Sequence, residues 1–189
     1  MAARQPSKLK VSVRIRVGTL EQKQMTDLSH YDRDDPGFVG DLRASQKHVQ
    51  IIAEWLRAKG LTVDILPTRI RPDVHQMSDY ADDGDILVSK DGGQKYRVEV
   101  KQRKLRFTSI DDFPYSSIIV DVAHTWDRAD PKPAAYILTN IDITAAIVIK
   151  AKTSDQWVRT QKWDRFKKRN RTFLECPVSL GECHVIEGL

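Results

Sequence analysis

The residues best spaced for chemistry are two acids and a lysine: Asp85, then a thirteen-residue gap, then Glu99-Val100-Lys101. Carboxylates are hard oxygen donors, and one or two of them, completed by water and phosphate oxygens, suit Mg²⁺. A nearby ammonium orients an attacking water or neutralises charge building up on a phosphate. Together such groups serve metal-assisted hydrolysis of a phosphodiester. The bland alternative is a solvated strand face with a local ion pair, the commonest use of Glu-x-Lys on a strand. Choosing between the two requires knowing which side chains meet.

Gly84-Asp85-Ile86-Leu87-Val88-Ser89, the turn Lys90-Asp91-Gly92-Gly93, and Gln94 to Lys101 read as two strands of a hairpin. A two-residue Asp91-Gly92 turn would mix polar and apolar residues on both faces. A three-residue Asp91-Gly92-Gly93 loop, with a glycine in the left-handed conformation, instead sets Asp85 opposite Glu99, Ile86 opposite Val98 and Val88 opposite Tyr96. One face then carries Ile86, Val88, Tyr96, Val98 and Val100. The other carries Asp85, Glu99 and Lys101, with Leu87 and Arg97 nearer the turn. Like charges facing each other across a strand pair are destabilising unless something offsets them, and a divalent cation would do so.

Asp85, the gap, and Glu99-Val100-Lys101 on the strand after a hairpin resemble the D…(D/E)xK motif of the PD-(D/E)xK nuclease superfamily, which includes restriction endonucleases, Holliday-junction resolvases and phage nucleases. The order of elements over roughly residues 41 to 150 is also similar: helix, strand, motif hairpin, further helix and strand. The resemblance implies an α/β, restriction-endonuclease-like fold with a central mixed β-sheet flanked by helices. It implies Mg²⁺ or Mn²⁺ as cofactor, held by Asp85 and Glu99, with Lys101 assisting the nucleophilic water. It further implies a nucleic-acid partner, DNA before RNA, and allows a homodimer and a phage origin, with the host cytoplasm as the site of action. Many members carry another acid on the first helix. Here that stretch holds Gln46, His48 and Val49, with Glu54 nearer the helix end, so His48 and Glu54 join the candidates, as does Gln102, next after the motif lysine. A catalytically silent nucleic-acid-binding protein, or a viral assembly protein on the same fold, is the alternative.

Charge distribution agrees with a phosphate-gripping surface. Residues 150 to 171 hold nine basic side chains against two acids, and residues 95 to 106 hold six against one, whereas residues 73 to 85 hold five aspartates and no Lys or Arg. Basic zones beside an acidic pocket attract phosphates and retain a cation. Arg103, Lys104, Arg106, Lys162, Arg165, Lys167, Lys168 and Arg169 are the expected nucleic-acid contacts, the alternative being solvated charge runs.

The rest of the chain must position these groups. At 189 residues a single domain over residues 1–189 is expected, with a flexible basic N-terminus over 1–10. Cys176 and Cys183 suggest neither a disulfide framework nor a zinc site. No apolar run has the length of a membrane span and the N-terminus lacks a signal-peptide pattern, so a cytoplasmic protein without a membrane partner is expected. Lys10 to Val17 alternates as a strand, and 18–44 reads as a loop. Ser45 caps a helix with Val49, Ile52, Ala53 and Leu56 inward, stopped by Gly60. Leu61 to Leu66 reads as a strand and 67–83 as a loop containing His75. Ser116 to Val120 reads as a strand and Asp121 to Arg128 as a helix. There Asp121 is an N-cap in the simpler reading, and Asp121 with His124 a cleft-facing pair in the other. Ala134 to Leu138, Ala145 to Ile149, Thr172 to Val178 and His184 to Ile186 read as strands. Ser154 to Arg169 reads as a basic helix whose Trp157, Trp163 and Phe166 serve either core packing or base stacking.

Overall fold

The computed structural model describes residues 36–67, 85–164 and 169–187. The expected strand over 10–17, the loop histidine His75, and Arg165, Phe166, Lys167 and Lys168 lie outside them.

Helix α1 spans Pro36–Ala58, beginning nine residues before the expected Ser45 cap and correcting the last part, 36–44, of the loop expected over 18–44, whose earlier residues lie outside the described ones. Proline is tolerated in the first helical turn, where its missing N–H would have no partner. The end is as expected. Gly60 at φ +82° lets the Gly60 N–H reach the Arg57 carbonyl at 2.9 Å and the Leu61 N–H reach that of Leu56 at 3.2 Å, the paired closure of a glycine-terminated helix. The inward residues Val49, Ile52, Ala53 and Leu56 are buried as their spacing requires.

Strands β1 (Thr62–Ile65), β2 (Ile86–Ser89), β3 (Tyr96–Gln102), β5 (Ala135–Thr139), β6 (Ala145–Lys150) and β9 (Glu182–Val185) form a six-stranded sheet in the order β1-β2-β3-β5-β6-β9. It is mixed: β3 and β5 are parallel, and the other pairs antiparallel. The chain between β3 and β5 crosses over through β4 (Ser117–Val122) and α2 (Ala123–Arg128), as a parallel pair demands. A second sheet contains β4, β8 (Arg169–Pro177) and β7 (Val158–Asp164) in the order β4-β8-β7.

Each face of the large sheet buries its own core. On one, Ile86, Val98, Val100, Ile137 and Ala146 pack beneath Ile52, Ala53 and Leu56 of α1. On the other, Tyr136, Leu138, Ile147 and Ile149 meet Ile118, Val120, Leu174 and Cys176 of the small sheet, with Trp126 and Trp157. Fully burying such aliphatic side chains contributes about 1.5–3 kcal/mol each. The mixed α/β class is as expected, but only one face is covered chiefly by a helix.

The difference arises at the expected basic helix. Residues Ala151–Gln156 form a short 3₁₀ segment and Val158–Asp164 an extended strand. Ser154 therefore caps no long helix. Val158 and Thr160 are β-branched, a type that favours extended chain, and seven backbone pairs with β8 hold the strand. Trp157 packs in the core against Trp126 and Tyr136 at centroid distances of 5.2 and 6.1 Å, whereas Trp163 is exposed.

Candidate functional site

The β2–β3 ladder pairs Ile86 with Val98, Leu87 with Arg97 and Val88 with Tyr96, the register expected from the alternation of apolar residues. Extending it one step sets Asp85 across from Glu99. The turn achieves this differently from the expected three-residue loop: Asp91 (φ +52°) and Gly92 (φ +71°) are both left-handed, and the Gly93 N–H closes on the Lys90 carbonyl at 2.9 Å. That is a tight two-residue turn. The extra residue needed by the ladder lies between Gly93 and Tyr96.

Asp85 ends β2 as a side-chain acceptor: its Oδ2 takes the Val100 N–H at 2.7 Å, and its carbonyl takes the Leu66 N–H at 3.0 Å. The pleat points Arg97, Glu99 and Lys101 to the face of Tyr136 and Leu138, between the two sheets, and Val98 and Val100 toward α1. Glu99 is 1% exposed and Lys101 8%. A carboxylate buried so deeply requires compensation. Arg97 supplies it, with Nε at 3.0 Å and Nη2 at 2.9 Å from Glu99 Oε1, and is itself steadied by Nη1 donating to the Pro131 carbonyl at 3.3 Å.

Lys101 meets Asp121, with Nζ 3.1 Å from Oδ1 and 5.0 Å from the Tyr136 ring centre. Asp121 is not a helix cap: it lies within β4, the helix begins at Ala123, and no side chain caps it. The bulge between Ile119 and Asp121 accompanies the turn of this carboxylate into the interlayer space, where the Val122 N–H donates to Oδ1 and the Tyr136 hydroxyl to Oδ2, both at 2.8 Å. Burial pushes the Asp121 carboxyl pKa up, but the Lys101 charge and these donors outweigh it and hold the group below its ordinary value. Asp121 is thus neither an N-cap nor, with the exposed His124, a residue facing a cleft: it is buried between the sheets beside Lys101.

Arg103 donates through Nη2 to the Ile119 carbonyl. Arg103 is half-buried, and burial pushes its pKa down to about 10 against the upward pull of Asp121. Gln102 is the last residue of β3, and alternation turns it away from Glu99 and Lys101. Glu54 is exposed and accepts from the Gln50 amide at 2.7 Å. His48 is buried on α1, with no hydrogen-bond partner for Nδ1. Because α1 covers the opposite face of the sheet, neither His48 nor Glu54 joins Glu99 and Lys101.

Among the outer basic residues, Lys104 and Arg169 are exposed, and Arg106 lies 3.6 Å from Asp142. Lys162 is engaged by Glu175 at 2.6 Å. Sequence reasoning passed over Arg97 as a site residue, though its place two positions before Glu99 on the same face was the available signal. Among the described residues no three His, Cys, Asp or Glu side chains gather as a metal-binding group, and no helix is long and apolar enough to cross a membrane. Comparison with protein families, curated proteins and solved structures returns no match.

Proposed function

We propose that the protein is a Mg²⁺- or Mn²⁺-dependent nuclease acting on DNA, with Asp85 and Glu99 as cation ligands and Lys101 as the group that assists the attacking water. The observation that supports this reading is the β2–β3 register of Ile86 with Val98 and Leu87 with Arg97, whose extension by one step sets Asp85 across from Glu99, with Lys101 two residues further along the same face. The element order supports it as well: helix, strand, motif hairpin, then a strand of the second sheet, a short helix and a strand parallel to the hairpin, which contains the helix, strand, hairpin, helix, strand succession of a restriction-endonuclease-like fold. The donor types suit the ion, since Mg²⁺ takes one or two carboxylates and completes its shell with waters and phosphate oxygens. Bound there, a divalent cation would polarise the phosphoryl group and acidify a water. The chain's own groups do the positioning. The Val100 N–H fixes the Asp85 carboxylate at the end of the hairpin, and Asp121 and the Tyr136 ring hold the Lys101 ammonium. The weakly screened interior between the sheets strengthens each charge interaction.

One observation favours the catalytically silent alternative: Arg97 already supplies Glu99 with a cationic partner at 2.9 Å. Incubating the purified chain with DNA and Mg²⁺ or Mn²⁺ separates the two. Cleavage that disappears in Glu99→Ala and in Lys101→Ala, with the folded circular-dichroism spectrum retained, supports the nuclease. Salt-sensitive DNA binding without cleavage in either metal supports the silent module. Cleavage that persists in both variants refutes the site.

A further inference from the structure

Glu99 has a cation on each side of it along β3, Arg97 two residues before and Lys101 two residues after. The two are held very differently. Lys101 lies 3.1 Å from Asp121 and rests over the Tyr136 ring. Asp121 belongs to the other sheet and is itself fixed by the Val122 N–H and the Tyr136 hydroxyl. Arg97 is paired with Glu99, and both of its donors, Nε at 3.0 Å and Nη2 at 2.9 Å, converge on Oε1. This is not the parallel fork, one donor to each oxygen, that adds strength to an Arg–carboxylate pair. The remaining guanidinium nitrogen reaches the Pro131 carbonyl at 3.3 Å, a long hydrogen bond. Asp130, Pro131 and Lys132 are all exposed, so this second contact ties Arg97 to a segment that borders water.

Two physical demands act on Glu99. It is 1% exposed, and a carboxylate so buried must keep a cationic partner. A divalent cation and the guanidinium on one carboxylate would also stand within a few ångströms of each other, and in a weakly screened interior that repulsion is strong. Exchange of one cation for the other meets both demands. Arg97 is the group able to leave, because its outer contact lies at the surface while Lys101 is locked to the opposite sheet. A change of this kind is driven by an ion that binds the open arrangement better than the closed one.

We propose that Arg97 is a resident counterion that gates the cation site: its guanidinium neutralises Glu99 in the metal-free protein and swings toward the Pro131 segment when a divalent cation takes its place. This regulates the site of the nuclease reading and rests on that reading for the cation. Its consequence is a penalty on affinity, since a site open only part of the time binds its ion more weakly by the open fraction. The test reads the arginine and the ion, with no nucleic acid present. In the ¹⁵N NMR spectrum of the full-length metal-free protein, the Arg97 Nε–H, identified by its absence from Arg97→Lys, should be protected from exchange with water. It should lose that protection as Mg²⁺ saturates the protein. Mn²⁺ affinity is measured from the paramagnetic resonance of the free ion. Arg97→Gln should bind Mn²⁺ about 10- to 100-fold more tightly than wild type, the scale on which groups around a metal ligand change affinity. Adding Glu99→Gln to it should remove that gain. Equal or weaker Mn²⁺ affinity in a folded Arg97→Gln variant would overturn the proposal, as would an Nε–H still protected at saturating Mg²⁺. The second measurement uses the wild type and decides the matter if Arg97→Gln does not fold. Either result leaves the nuclease reading standing where Glu99→Gln alone abolishes Mn²⁺ binding. Absence of Mn²⁺ binding from wild type and Arg97→Gln alike refutes the cation site and both proposals with it, whereas exchange of Arg97 without DNA cleavage leaves the gate standing and the nuclease reading refuted.

Discussion

Replacing Asp121 with alanine removes at once the carboxylate 3.1 Å from Lys101 and the acceptor of the Tyr136 hydroxyl and the Val122 N–H. The Lys101 and Asp121 side chains are 10% and 7% exposed, so water compensates little. Removing one partner of a buried pair costs about 3–5 kcal/mol, and in a chain of this size each kcal/mol lowers Tm by about 2–4 °C. Asp121→Ala should therefore melt about 6–20 °C below the wild type in a circular-dichroism thermal scan. Replacing both partners by apolar residues, Lys101→Met with Asp121→Leu, should recover most of that loss, since an apolar pair carries no desolvation penalty. The pH dependence has a definite sign. The Asp121 carboxyl is held below its ordinary value in the fold, burial opposing and Lys101, Tyr136 and Val122 prevailing. Its contribution is therefore complete above the unfolded carboxyl pKa and is lost as pH falls through the lower folded value. Asp121→Asn should flatten that acid limb of the stability profile. An Asp121→Ala protein melting within about 3 °C of wild type, less than about 1 kcal/mol on the same scale, would refute the view that this ion pair ties the two sheets together.

Two further outcomes follow from backbone and burial. Gly92 sits at φ +71° with nothing within 4 Å of an added Cβ, so Gly92→Ala should cost only the backbone penalty of about 1–2 kcal/mol, read as a lower denaturation midpoint with an unchanged slope. Cys176 is 0% exposed and burial pushes its thiol up to about 11, so a thiol reagent at pH 8 should label Cys183 in the native protein and reach Cys176 only on unfolding.

The hairpin was legible because its two strands obey one rule. Ile86, Val88, Val98 and Val100 must share a face, and only one register allows it. α1 was legible from Val49 to Gly60, where apolar spacing and a terminal glycine agree, and illegible before Ser45, where Asp34-Asp35-Pro36-Gly37 has the composition of a loop yet Pro36 opens the helix. The basic helix failed for a different reason. Strand β7 is the edge of a small sheet and its residues other than Thr160 and Asp164 are exposed, so no buried face wrote a two-residue period into the sequence, and Ser154 offered a capping signal used only by a 3₁₀ turn. Asp121 was visible as a candidate but not as the partner of Lys101. That pairing joins two sheets through contacts distant in sequence, which local pattern does not encode.

Those distant contacts also set an order of events. In the described fold β4 has one hydrogen-bonded neighbour, β8, and Ser117 finds Glu175 58 positions later. The hairpin bearing Glu99 and Lys101 can close as soon as residue 102 is made, and β5 and β6 soon afterwards. Among the described strands, the one that carries Asp121 has no hydrogen-bonded neighbour until β8, some fifty residues further on, has been synthesised. A nascent chain would thus display the acids and the lysine on a formed sheet face before the strand that covers them is paired, and a nonsense codon between β6 and β8 would leave the centre built on one side only.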